Sequence, residues 1–194
     1  MNYLIALLLS TLLINLSFAL PFSHNASYQV CFTPGGDCTA EIVESLATAQ
    51  SAIWVQAYSF TSKPIAQALL AAAQRGVKVQ VILDKSQRSQ HYSAAQFLFN
   101  QGIPTWIDQH VAIAHNKVMV IDENTVITGS FNFTQAAQKS NAENLLIIHD
   151  PQLAKQYLQN WQNRWHVSLA YEGNHCPATL LANKKTTLHC LKPL

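Results

Sequence analysis

The sequence predicts an α/β fold, one mixed β-sheet sandwiched between helices. Short runs rich in Val, Ile and aromatic residues recur along the chain, each bounded by Gly, Pro, Asn or Asp. Between several of them lie helix-length stretches with apolar residues at helical spacing. Strand and helix alternate in chain order, which favours helices packed on the faces of a single sheet. With no internal repeat or linker, one domain is expected over residues 20–168, followed by an irregular tail over 169–194.

Residues 28–32 read as the first strand, and Thr33-Pro34-Gly35-Gly36-Asp37 as a turn. Thr39 is placed to cap a helix over 40–50. The run A-I-W-V-Q-A-Y-S-F over 52–60 is a strand. Ser62 caps the next helix, which has Pro64 in its first turn, runs to Arg75 and stops at Gly76. Residues 77–83 form a strand, 93–101 a helix ended by Gly102, and 104–107 a short strand. A hairpin over 118–121 and 126–128 turns at Glu123-Asn124, and 145–149 is a further strand. Pro151 opens a final amphipathic helix through Trp165, where Trp161 and Trp165, four apart, read as core.

The first 19 residues carry no charge, are rich in Leu and Ile, and end in Ser17-Phe18-Ala19. They read as an export signal cleaved after Ala19. The rival reading, a retained membrane anchor, is weakened by Asn15, Ser17 and Pro21. All four cysteines, Cys31, Cys38, Cys176 and Cys190, lie beyond that segment. An even count in an exported chain favours two disulfides, with three connectivities open. Closeness in sequence favours Cys31–Cys38 and Cys176–Cys190, the second pair stapling the tail. Wide Cys spacing speaks against zinc. A net charge of +2 excludes a strongly basic nucleic-acid coat but not a nuclease with a local basic cleft.

The chemistry concentrates in H-N-K-V-M-V-I-D over 115–122, G-S-F-N-F over 129–133, and Glu143. Alternate strand residues share a face, so His115 with Lys117, and Ser130 with Asn132, line up if their strands extend that far. A two-residue turn pairs Asp122 with Thr125 and sets Lys117 opposite Ser130. The same count turns Asp122 to the other face, as a structural carboxylate. An imidazole can attack phosphorus or deliver a proton to a leaving oxygen. Lys117, Asn132 and the Ser130 hydroxyl can hold nonbridging oxygens, and Glu143 can fix the imidazole tautomer. Lys85, Arg88 and Lys139 are candidate contacts to a substrate backbone, whereas His110 reads as a solvated loop residue.

The pattern H-x-K-x4-D followed by G-S-x-N resembles the phospholipase D superfamily. Within it the chain is similar to small secreted bacterial endonucleases with a single motif, also through Ala57-Tyr58-Ser59-Phe60-Thr61, Arg75-Gly76-Val77 and Trp161-Gln162-Asn163-Arg164-Trp165. The resemblance spans roughly residues 32–166. It implies the superfamily's sandwich fold, catalysis by His115, Lys117, Ser130, Asn132 and Glu143, and no metal or other cofactor. It implies too that a chain with one motif dimerises, because the superfamily pairs two such histidines, one as nucleophile and one as acid. The function expected is metal-independent hydrolysis of DNA, and of RNA as a further substrate, through a phosphohistidine, by a periplasmic or secreted enzyme without stable membrane association after signal cleavage. The rivals are a lipid phosphodiesterase on the same site and, from another class, a catalytically inactive nucleic-acid-binding protein.

Overall fold

The computed structural model describes residues 19–90 and 93–173. Most of the segment read as an export signal, and Cys176 and Cys190 with their expected bridge, lie outside the described residues. Eight strands form one mixed sheet: β1 (Ser27–Thr33), β2 (Ala52–Ala57), β3 (Lys78–Asp84), β4 (Thr105–Asp108), β5 (Lys117–Ile121), β6 (Thr125–Gly129), β7 (Glu143–His149) and β8 (Leu169–Ala170). Their order is β1-β7-β6-β5-β2-β3-β4-β8. Helices α1 (Cys38–Ala47), α2 (Lys63–Gln74), α3 (Ala94–Asn100) and α4 (Gln135–Lys139) contribute to the main core on one face. Helix α5 (Pro151–Val167) covers the other face, packing Ala154 and Leu158 on Val118, Val120 and Val126. The α/β sandwich read from the sequence is therefore the fold.

The parallel pairs β2–β3 and β3–β4 sit beside antiparallel pairs on both sides. Strand direction then decides where side chains meet. The ends of β2, β3, β4 and β6 and the starts of β5 and β7 all fall on one edge of the sheet. That edge carries the motif, and the β5–β6 turn lies at the opposite edge.

Several element boundaries differ from the sequence expectation, each for a local reason. Helix α1 begins at Cys38, not residue 40, because the Asp37 carboxylate caps it by accepting from the Ala40 N–H. It ends at Ala47, not residue 50. The N–H groups of Gln50, Ser51 and Ala52 go instead to the Asp122 carboxylate. Strand β2 stops at Ala57, since the Tyr58 N–H turns to the Asn116 carbonyl. A 3-10 turn over Lys85–Arg88 and the short α4 were not anticipated. Strand β8 lies past the expected boundary at 168, pairing with β4, and Tyr171 beyond it is buried in the core.

The hairpin register is the main correction. Ile121 pairs with Thr125, so the turn holds three residues, Asp122 to Asn124, rather than two. Asp122 and Glu123 take φ of 51° and 54°, a left-handed conformation that a short polar residue such as Asp tolerates better than most. Extending this register sets Gly129, not Ser130, level with Lys117.

Cys31 and Cys38 form a disulfide across the β1–α1 turn. The same turn grips the segment leading to β7. The Thr33 hydroxyl donates to the Ala137 and Asn141 carbonyls, and the Gln138 amide bonds both the Thr39 N–H and the Gly36 carbonyl.

Candidate active site

His115 is not on a strand: β5 begins at Lys117, and residues 109–116 form an irregular loop. Its position therefore depends on what holds that loop. Asp84, at the tip of β3 and 2% exposed, accepts the Ala114 N–H at 2.7 Å and the Ser86 N–H at 2.9 Å. Lys85 Nζ donates to the Val111 carbonyl at 3.1 Å. The start of the loop is fixed by Asp108, fully buried, which receives Arg164 of α5 through two bonds of 2.8 and 2.6 Å. Two buried carboxylates on neighbouring strands thus anchor both ends of the histidine loop. Burial works against the Asp84 charge. The Ser86 and Ala114 N–H groups, the Ser86 hydroxyl and Lys85 outweigh it, and the carboxyl lies below its ordinary value of 3.8.

His115 is exposed, whereas Lys117 two residues on is only 7% exposed. Lys117 Nζ lies 3.0 Å from His115 Nε2 and 5.3 Å from the centre of the Tyr58 ring. Tyr58 also meets the imidazole edge to face at 4.6 Å. Burial pushes the Lys117 ammonium below its ordinary value of 10.5, and the charge of Glu143 opposes that push. A partly desolvated ammonium is a strong partner for a phosphate oxygen, because little water competes with the anion.

The second half of the site begins at Gly129, with φ of 137°. A Cβ there would meet the Asn144 carbonyl oxygen at 2.3 Å, so no other residue fits without moving the chain. That carbonyl accepts the N–H groups of both Ser130 and Phe131. Ser130 Oγ donates to Glu143 at 2.6 Å and accepts from the Asn144 N–H at 3.0 Å. Asn141 takes the other Glu143 oxygen at 2.9 Å. Within the chain Glu143 bonds Ser130 and Asn141, one at each oxygen, and no bond from it to the His115 imidazole is seen among the described residues. Glu143 reaches Lys117 through its charge instead.

Phe131 and Phe133 are fully buried, which fixes Asn132 between them. The Asn132 Oδ1 is buried without a hydrogen-bond partner among the described residues. Asp122 lies at the far edge of the sheet, bonding Gln50, Ser51 and Ala52. Lys85, Arg88 and Lys139 are all exposed, the first two after β3 and the third at the end of α4. His110 is an exposed loop residue whose N–H faces Asp108. Sequence reasoning missed Tyr58 and Asp84 as site components. Each stands at the end of a strand on the motif edge, and that position was the available signal.

A histidine beside a buried lysine, with a hydroxyl–carboxylate pair on the next strands, is equipment for phosphoryl transfer. A family model described as cardiolipin synthase, PLD-like domain, matches residues 42–165. A protein named phospholipase D from Rickettsia typhi is 46% identical over 158 residues, covering 76% of this chain and 78% of the relative. The canine protein named mitochondrial cardiolipin hydrolase is 29% identical over 157 residues, covering 80% of this chain and 60% of that one. The crystal structure of Nuc, a phospholipase D family member from Salmonella typhimurium, superposes with a TM-score of 0.73 at 39% identity. The match covers 75% of this chain and 98% of Nuc. The chain belongs to the phospholipase D superfamily, through its PLD-like domain family, and is an enzyme, a phosphodiesterase of that class.

Proposed function

We propose that the protein is an endonuclease that cleaves DNA, with RNA as a further substrate, through a phosphohistidine on His115. The observation that carries this reading is the exposed cations carried by segments that follow or precede strand ends on the motif edge: Lys85 and Arg88 after β3, Lys139 before β7. A polyanion longer than one phosphodiester has use for charge beyond the reacting phosphate. The chain works as a homodimer, with His115 of both copies at one composite site. The neutral imidazole of one copy attacks phosphorus while the protonated imidazole of the other gives its proton to the leaving oxygen. Water then attacks phosphorus, giving its proton to the second imidazole as the P–O bond forms and the P–N bond breaks to free the first. Lys117 and Asn132 hold the nonbridging oxygens, the Ser130 hydroxyl donates to them once substrate turns it away from Glu143, and the Glu143 charge favours the Lys117 ammonium. The imidazole supplies the nucleophile, so this sequence of steps needs no metal.

A second reading, a lipid phosphodiesterase, is favoured by Ile113, 56% exposed two residues before His115, and by the names of the Rickettsia and canine relatives. Among the described residues no helix is long and apolar enough to cross a membrane. We also propose export to the periplasm or medium. The uncharged apolar residues 1–19 support it, as does the Cys31–Cys38 bridge, a bond suited to an oxidising compartment.

The test is incubation of the purified protein with plasmid DNA, RNA and phosphatidylcholine, each with and without EDTA. DNA cleavage undiminished by EDTA, with the lipid untouched, is the expected outcome. Headgroup release without nucleic-acid cleavage would replace the nuclease reading by the lipid one. Cleavage lost in EDTA and restored by magnesium would remove the metal-free mechanism.

A further inference from the structure

We infer that Tyr58 is a positioning residue, whose ring fixes the direction in which the His115 imidazole meets a phosphorus atom. The inference rests on the phosphohistidine reading above and deepens it. His115 stands on the loop before β5 and is exposed. The bonds that anchor this loop go to its backbone. The Ala114 N–H goes to Asp84, the Val111 carbonyl to Lys85, and the Asn116 carbonyl to the Tyr58 N–H at 2.7 Å. They set where the backbone of His115 lies and leave its two side-chain torsions open. Among the described residues, the one hydrogen bond of the imidazole joins Nε2 to Lys117 Nζ. A phosphate oxygen competes for that same ammonium, so the bond weakens when substrate arrives.

The contact that remains is Tyr58. Its ring centre lies 4.6 Å from that of the imidazole, at an interplanar angle of 60°. The same ring lies 5.3 Å from Lys117 Nζ, within reach of a cation–π attraction. One flat ring thus touches both groups that must address one phosphate. The ring is itself well held. Tyr58 directly follows β2, an inner strand between β5 and β3. Ala57 before it is buried and pairs with Lys117. Phe60 after it is fully buried, with its N–H on Gln87. Attack needs nitrogen and phosphorus about 3–3.5 Å apart and in line, and about 1 Å of misplacement can cost on the order of 100-fold in rate. The shape of the Tyr58 ring meets this need, and its hydroxyl takes no part.

The experiment compares full-length wild type with Tyr58→Leu and Tyr58→Phe on bis(p-nitrophenyl) phosphate. That diester has neither base nor acyl chain, so the result does not depend on whether the natural substrate is nucleic acid or lipid. Tyr58→Leu, folded by circular dichroism, should lose about 10- to 100-fold in kcat with KM within about threefold of wild type. Tyr58→Phe should restore kcat to within about threefold of wild type. The adduct on His115, followed by mass spectrometry of rapidly quenched samples, should form more slowly in Tyr58→Leu. A folded Tyr58→Leu with wild-type kcat would overturn the inference. So would a loss confined to KM, which would make Tyr58 a substrate contact. A Tyr58→Phe as slow as Tyr58→Leu would overturn it too, by placing the hydroxyl in the chemistry. If Tyr58→Leu fails to fold, NMR contacts between the Tyr58 and His115 rings of wild type carry the test, and their absence would count against the inference. A wild type that cleaves the diester with no adduct on His115 would remove the phosphohistidine reading itself, a separate failure visible before any variant is made.

Discussion

At the scale of single residues, the charge state of Lys117 is the controlled quantity. Burial lowers its pKa and Glu143 partly restores it. The ammonium form is the one suited to a phosphate oxygen, and followed by NMR at the lysine Cε it should titrate below pH 10.5, the ordinary lysine value. Glu143→Gln removes the charge that favours the ammonium, so that titration should move to lower pH. A titration that stays in place while activity falls would assign Glu143 to holding Ser130 alone. Much of this site was legible in the sequence, because His115, Lys117, Ser130, Asn132 and Glu143 stand at motif spacing. Their bonding was not. Gly129 re-aims the chain after β6 through a close approach to Asn144 that spacing does not encode. Asp84 and Tyr58 join the histidine loop from strands 31 and 57 residues distant from it, as Asp84 to His115 and Tyr58 to His115.

At the scale of elements, Asp122 ties the β5–β6 turn to the chain entering β2. Burial opposes its charge, but the N–H groups of Ala52, Gln50 and Ser51 and the Ser51 hydroxyl prevail, and its pKa lies below the ordinary 3.8. A depressed carboxylate contributes stability that is present above the unfolded value and lost as pH falls through the folded one. Asp122→Asn should therefore lower the melting temperature at neutral pH by several degrees, for a cost of about 1–2 kcal/mol. The gap to wild type should close as pH drops below about 3.8. The folded fraction should keep its specific activity, since the turn is at the far edge of the sheet. A variant that melts like wild type but has lost turnover would contradict this placement. The sequence pointed to a structural Asp122 by way of a two-residue turn that does not form. What the count missed is that Asp122 is drawn into the turn by three N–H groups from a segment about 70 residues earlier.

At the scale of the whole molecule, the alternation of strand and helix was enough to give the sandwich, because each α/β crossover has few ways to pack. Strand order and the short β8 were not legible, since they depend on pairings between distant segments. The proposed sharing of one site between two chains has a kinetic signature. His115→Ala chains mixed with wild type and re-equilibrated should form mixed dimers holding one histidine where two are required. With equal amounts and random pairing, activity should fall to about one quarter of what the same total of wild type gives, if dimers form by simple mass action. Activity at one half, tracking the wild-type chains alone, would mean that each chain works by itself.

Strand β8 is short, yet it settles where the domain can be cut. Leu169 and Ala170 pair with Ile107 and Trp106, and the Tyr171 N–H goes to the Thr105 carbonyl. A chain stopped at Ser168 would leave that side of β4 as a bare sheet edge, a template for adding strands from neighbouring molecules. Tyr171 would also leave the core, and its ring would no longer meet Phe99 edge to face. Shortened versions made for expression belong beyond Tyr171, where β4 keeps the strand that covers its outer side.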